Sequence, residues 1–133
     1  MNVELTKILI VEDDPDILEI IRMALEIIGE MQVITCLDSM QVMSVLEKDL
    51  PQLILLDVMM PGKDGPAVLK EIRENPATRD IPVVFLTAKV MDHEISQLLS
   101  TGAVDIIRKP FEPMLLAENV RRIYHKARKN HES

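Results

Sequence analysis

The chain has no tryptophan, one tyrosine and two phenylalanines, and it carries only one cysteine and four glycines in 133 residues. With so few aromatics, the core has to be aliphatic, filled by Ile, Leu, Val and Met. A single cysteine, Cys36, rules out an internal disulfide and fits a reducing compartment, where a lone thiol is read as a small buried hydrophobe. With three scattered histidines beside it, Cys36 offers no spacing for a closed zinc site. No window approaches the eighteen or so apolar residues of a membrane span, and residues 1–7 contain Glu4 and no leader-like apolar stretch. The expectation is a cytoplasmic protein that does not insert into a membrane.

Positive charge is also scarce, with 15 Lys and Arg against 22 Asp and Glu and a net charge of −7, which excludes nucleic acid as a partner for the body of the protein. The exception is the C-terminus, where Arg121, Arg122, Lys126, Arg128 and Lys129 face only Glu132. Cations at a helix end complement its dipole, and that reading is preferred to a docking role.

What the sequence does hold is hydrophobic content of 47% in a length suited to one core. Apolar runs at 8–11, 33–36, 53–56, 83–86 and 104–107 alternate with longer stretches of helical periodicity. Near-continuous Ile, Leu and Val in each run indicates strands buried on both faces. The fold class is therefore α/β, a doubly wound parallel sheet of five strands with helices on both faces. Asp14 and Pro15 start the first helix, Gly29 ends it, and Ile17, Ile20, Ile21, Ala24, Leu25 and Ile28 form its expected core stripe. A second helix from Ser39 to about Lys48 carries Met40, Met43 and Leu46; a third begins near Pro66 and ends before Pro76. A fourth, over 91–99, is weakly patterned and expected to be the least stable. The fifth follows Pro113 and carries Leu116, Val120 and Ile123. Most of the nine methionines are read as core filling.

Polar residues fall where the runs stop: Glu12, Asp13 and Asp14 after the first, Asp57 after the third, Thr87 after the fourth and Lys109 after the fifth. Parallel strands put these ends on one edge, where ligands bind open α/β sheets. If the strand order is 2-1-3-4-5, Glu12 and Asp13 lie opposite Asp57. Converging carboxylates raise one another's pKa unless a cation neutralises them, which implies a divalent metal. Oxygen-only ligands, few in number, favour Mg²⁺. Asp57 is then a nucleophile for phosphoryl transfer, with Lys109 supplying charge and Thr87 a hydroxyl donor to the transferred group.

The stretches Ile8-Leu-Ile-Val-Glu-Asp-Asp-Pro15, Leu55-Leu-Asp-Val-Met-Met-Pro-Gly-Lys-Asp-Gly65, Phe85-Leu-Thr-Ala88 and Arg108-Lys-Pro-Phe111 closely resemble the response-regulator receiver family. The match covers nearly the whole chain, and the flavodoxin-like order 2-1-3-4-5 is taken from that family. The resemblance implies a receiver over 1–133, with a core at about 5–126 and a basic tail at about 127–133. It implies that Asp57 becomes an aspartyl phosphate, that Asp13 binds Mg²⁺ directly and Glu12 directly or through water, and that the Met59 carbonyl is a further ligand. It also implies a cis bond at Lys109-Pro110. Asp14 is assigned to capping in preference to the metal, and Gly62, Asp64 and Gly65 to shaping the loop. His93, His125 and His131 are expected to face solvent.

By that resemblance the phosphoryl donor is a histidine kinase or a histidine phosphotransfer protein, and the output is a downstream protein target. The chain reads as a stand-alone switch, not an enzyme; an excised domain of a larger regulator and a scaffold receiver that is never phosphorylated remain open. An aspartate-nucleophile phosphatase would want a second acid where Met59 stands. Ile106 occupies a position where receivers commonly carry an aromatic residue. Switching is therefore expected to rely on Thr87 and the loop after it, read from a face made by helix four, strand five and helix five. Met59 and Lys89 border the path of hydrolytic water, and Met59 cannot orient it, so a long-lived phosphoryl group is expected.

Overall fold

A computed structural model describes residues 3–89 and 91–132, the side chains of His131 and Glu132 excepted. The elements in order are β1 (Lys7–Val11), α1 (Pro15–Met23), β2 (Gln32–Cys36), α2 (Val42–Lys48), β3 (Leu53–Asp57), α3 (Gly65–Glu74), β4 (Val83–Thr87), α4 (Asp92–Ser100), β5 (Asp105–Arg108) and α5 (Pro113–Glu132). All five strands are parallel in the order β2-β1-β3-β4-β5. The expected α/β fold and strand order are thus observed.

Two apolar layers sandwich the sheet. Ile8, Ile10, Leu53, Leu55, Val84 and Leu86 point to one side and meet Ile21 and Leu25 with Leu116, Val120 and Ile123 of α5. Leu9, Val11, Ile54, Leu56, Val83 and Phe85 point to the other and meet Leu46 of α2, Val68, Leu69 and Ile72 of α3, and Leu98. Period-two alternation within each strand divides the apolar residues between these layers, which is why the runs read as continuous.

Two expected stripes need correction. After α1 the chain continues as a π-helical turn, Ala24–Ile28, in which Gly29 N bonds Ala24 O at 3.1 Å, a five-residue step. The wider turn rotates later residues off the stripe, so Ile28 is 44% exposed while Leu25 is fully buried. Ile20, at the edge of the stripe, is 48% exposed. The left-handed residue at this helix end is Glu30 (φ 54) and not Gly29. Likewise the second helix opens as a 3₁₀ turn, Ser39–Gln41, whose tighter winding leaves Met40 outside while Val42 and Leu46 are buried.

The fourth helix buries Leu98 alone, the thinnest anchorage of the described helices in their own ranges. The fifth extends through 127–132, so the basic residues there continue a helix. His93 is exposed and His125 half-buried against the edge of Tyr124; the side chain of His131 lies outside the described ones. Among the described residues no helix is long and apolar enough to cross a membrane.

Candidate functional site

The C-terminal edge of the sheet gathers the singled-out residues. Glu12 and Asp13 follow β1, and Glu12 N bonds Cys36 O of neighbouring β2 at 3.1 Å. Asp57 ends β3, Thr87 ends β4, and Lys109 follows β5 with its amide donating to Thr87 O at 2.8 Å. The Lys109-Pro110 bond is cis, as the resemblance implied.

Side chains of Glu12, Asp13 and Asp57 bring one carboxylate oxygen each within 4.8 Å of the others. Glu12 and Asp57 are buried, at 1% and 3% exposure, and Asp13 is half-buried. Nζ of Lys109 stands 2.9 Å from Glu12 Oε1 and 3.3 Å from Asp57 Oδ1. The same Oδ1 accepts from the Met59 amide at 3.3 Å. Three hard oxygen donors, crowded and incompletely neutralised by one ammonium, suit Mg²⁺ and not a soft metal.

The electrostatics agree. Burial pushes the Glu12 carboxyl up to about 7, the nearby Asp57 adding to the rise, while Lys109 and the Asp14 amide pull the other way. Burial by itself would weaken the Lys109 ammonium, but Glu12 and Asp57 outweigh it, and the net shift is upward. A second cation is what this pocket is short of.

Other expected residues sit differently. Asp14 is exposed and turned to α1, where Oδ1 accepts from Asp16 N at 2.9 Å and Ile17 N at 3.4 Å, the geometry of an N-cap. The Thr87 hydroxyl, 1% exposed, accepts from Lys89 N at 3.1 Å. Ile106 is half-buried against the apolar layer beneath α3 and α4. The Met59 side chain is 68% exposed at the mouth of the site.

A sequence profile described as the response regulator receiver domain matches residues 8–121. The chain belongs to that family. It is 38% identical over 117 residues to the phosphate regulon transcriptional regulatory protein PhoB of Escherichia coli, a match covering 88% of this chain and 51% of that protein. It is 41% identical over 90 residues to the response regulator PleD of Caulobacter vibrioides, covering 68% of this chain and 20% of PleD. The chain thus spans between a fifth and about half the length of these relatives. Among solved structures, the signal receiver domain of a signal transduction histidine kinase from Syntrophus aciditrophicus superposes with a TM-score of 0.79 at 34% identity, over 90% of this chain and 89% of that one.

Receiver domains of this family are signalling switches of two-component systems, and the phosphoacceptor role is general among them. In this receiver, sequence reasoning passed over several supports of the acidic pocket. Gly65 is packed so closely that a Cβ would stand 2.9 Å from both Asp57 O and Val58 Cα, so its role is close approach and not only a turn. Asp64 caps α3 by accepting from Ala67 N at 2.9 Å. Lys89 pairs with Glu94 of α4 at 3.0 Å, tying the loop after Thr87 to the thinly anchored helix. The Asp64–Pro66 cap signature was readable; the Gly65 packing and the Lys89 pairing depend on tertiary placement.

Proposed function

We propose that Asp57 accepts a phosphoryl group from a histidine kinase or histidine phosphotransfer protein in an Mg²⁺-dependent reaction, and that the resulting aspartyl phosphate switches a protein-binding face. The observation that carries this reading is the convergence of Glu12, Asp13 and Asp57 with Lys109 at the edge of the sheet.

Glu12, Asp13, Asp57 and the Met59 carbonyl are the groups that would hold the ion, which supplies charge neutralisation to incoming phosphoryl oxygens. An Asp57 carboxylate oxygen attacks phosphorus, the bond to the donor imidazole nitrogen breaks, and that nitrogen leaves with the electron pair. Oδ1 is already anchored by Met59 and Lys109, which orients the carboxylate for attack. Lys109 also faces the charge that develops on the transferred group. Thr87 then donates a hydrogen bond from its hydroxyl to a phosphoryl oxygen, and the loop through Lys89 and its Glu94 partner carries the change to α4. Output is read from the face of α4, β5 and α5.

A small phosphodonor such as acetyl phosphate, with Mg²⁺, should label the protein, and Asp57→Asn should abolish that labelling. Undiminished incorporation in the variant places the acceptor elsewhere. Phosphorylation should shift the NMR signals of α4, β5 and α5; changes confined to the α1 side defeat the proposed output face.

A stand-alone, cytoplasmic protein acting on a downstream protein target completes the proposal, the net charge of −7 favouring protein over nucleic acid as the partner of this body. The length of the relatives favours a second reading, in which this receiver is one part of a longer regulator, as in the transcriptional regulator PhoB. Immunoblotting the source cells decides: a species of 133 residues supports the first reading, a larger one the second.

A further inference from the structure

The loop that leaves Asp57 is stapled at its base, where Val58 N bonds Leu86 O at 3.1 Å and Gly65 N bonds Val58 O at 2.8 Å. Its far side is held by a residue from another part of the chain. Ser39, 3% exposed, donates its hydroxyl to Pro61 O at 3.0 Å and accepts from Lys63 N at 3.1 Å. Between those two bonds Gly62 takes φ 84 and lies over Met40.

The turn that carries Ser39 is itself fixed. Asp38 caps it through Met40 N at 2.9 Å, and Asp38 O receives Gln41 N at 3.0 Å and Cys36 Sγ at 3.1 Å. Cys36 O in turn receives the amide of Glu12. One short segment running on from the last residue of β2 therefore braces both walls of the acidic pocket: Glu12 through the Cys36 carbonyl, and the 59–63 loop through Ser39.

We propose that Ser39 is a positioning residue for Mg²⁺ binding and phosphorylation at Asp57. Only a side chain that both donates and accepts can close the gap between Pro61 O and Lys63 N. Without it these two backbone groups turn to water, and the loop bearing the Met59 carbonyl, two residues from Pro61, loses its fixed geometry. Metal sites respond to such outer contacts because ligands must be held in place before the ion arrives. The inference rests on the phosphoacceptor reading of Asp57 and adds a residue to it.

Thr78 provides a matched control. It is 2% exposed, and its hydroxyl donates to Ile72 O at 2.7 Å in the turn after α3, at the other end of that helix from the pocket. Ser39→Ala and Thr78→Ala should lower the melting temperature alike. Calorimetric titration with Mg²⁺ should show affinity weakened by about tenfold in Ser39→Ala only. Labelling by acetyl phosphate should slow at limiting Mg²⁺ and recover at saturation. Hydrogen exchange of the metal-free protein gives a reading that needs no ion: the Lys63 amide should be protected in the wild type and lose protection in Ser39→Ala.

Mg²⁺ affinity within twofold of wild type in Ser39→Ala, or equal weakening in Thr78→Ala, overturns the proposal. A wild-type Lys63 amide exchanging at the rate of an unstructured chain overturns it however the variants fold. Wild-type protein that neither binds Mg²⁺ nor labels defeats the phosphoacceptor reading and this one together; wild type that does both, with Ser39→Ala unchanged, defeats this one alone.

Discussion

The Lys109 ammonium stands 2.9 Å from Oε1 of Glu12, a carboxyl only 1% exposed, and the two residues are 97 positions apart in the chain. The same Nζ reaches Asp57, so a single cation serves two buried acids. Replacing Lys109 with Ala leaves both without it. Removing an electrostatic stabiliser aimed at developing charge costs about a hundredfold or more in rate. The expected outcome is Asp57 labelling slowed by at least about that factor, with Mg²⁺ still bound. Labelling kinetics beside a calorimetric Mg²⁺ titration measure both.

Glu12 makes the metal-free protein sensitive to pH. Its carboxyl titrates near 7 in the folded state against an ordinary 4.5, because burial disfavours the charged form. Between pH 4.5 and about 7 the folded chain keeps a proton that the unfolded chain has released. Stability from this group is therefore present at low pH and lost as pH rises through 7. Thermal melts without metal should show a falling transition temperature across that window, and Glu12→Gln should flatten the slope. Mg²⁺ should stabilise more on the alkaline side, where Glu12 is ionised.

Gly65 should tolerate no side chain. An added Cβ meets backbone at Asp57 O and Val58 Cα, both at 2.9 Å, and Phe85 Cε1 at 3.1 Å, so relief requires moving the strand end that presents Asp57. Overpacking of this kind costs about 1–3 kcal/mol. Gly65→Ala should lose that much stability in urea melts and label more slowly, whereas Ala at exposed Lys70 on the same helix should do neither.

These effects mark where sequence reading stops. Asp57, Thr87 and Lys109 were legible because each ends or follows an apolar run, and parallel strands put such ends on one edge. The fold was legible for the same reason, since both sheet faces are buried and the runs stand out. Ile28 was misplaced because stripe arithmetic assumes 3.6 residues per turn throughout, and the π-helical turn at Ala24–Ile28 departs from that, whereas Ile20, in the regular helix before it, sits at the edge of the stripe. Ser39 was invisible because its bond partners lie 22 and 24 residues further on and exist only after folding. The repulsion between Glu12 and Asp57 was foreseeable from their convergence, but the larger cause of the raised Glu12 pKa is burial, which no local pattern encodes.

Met59 fixes a kinetic expectation. Its amide holds Asp57 Oδ1 while its thioether side chain, 68% exposed, has no strong hydrogen-bonding group to direct water at the phosphoryl group. The aspartyl phosphate should persist for minutes or more in purified Mg²⁺-containing protein. Met59→Asn places an amide there and should shorten the lifetime. Decay within seconds in the wild type, followed by loss of radiolabel, defeats the expectation.

Asp14 separates capping from metal binding. Its Oδ1 is taken by the amides of Asp16 and Ile17, so the carboxylate neutralises the start of α1. Among the described residues, the carboxylates whose oxygens converge are those of Glu12, Asp13 and Asp57, and Asp14 is not one of them. Asp14→Ala should therefore cost about 1 kcal/mol in stability, the ordinary loss of an N-cap. Asp14→Ser, which can still cap, should restore most of that. Mg²⁺ affinity should be unchanged in both, whereas Asp13→Ala, removing a member of the acidic cluster, should weaken it severely. Melting and Mg²⁺ titration of the three variants give the answer, and Mg²⁺ affinity falling with Asp14→Ser would move Asp14 into the metal site.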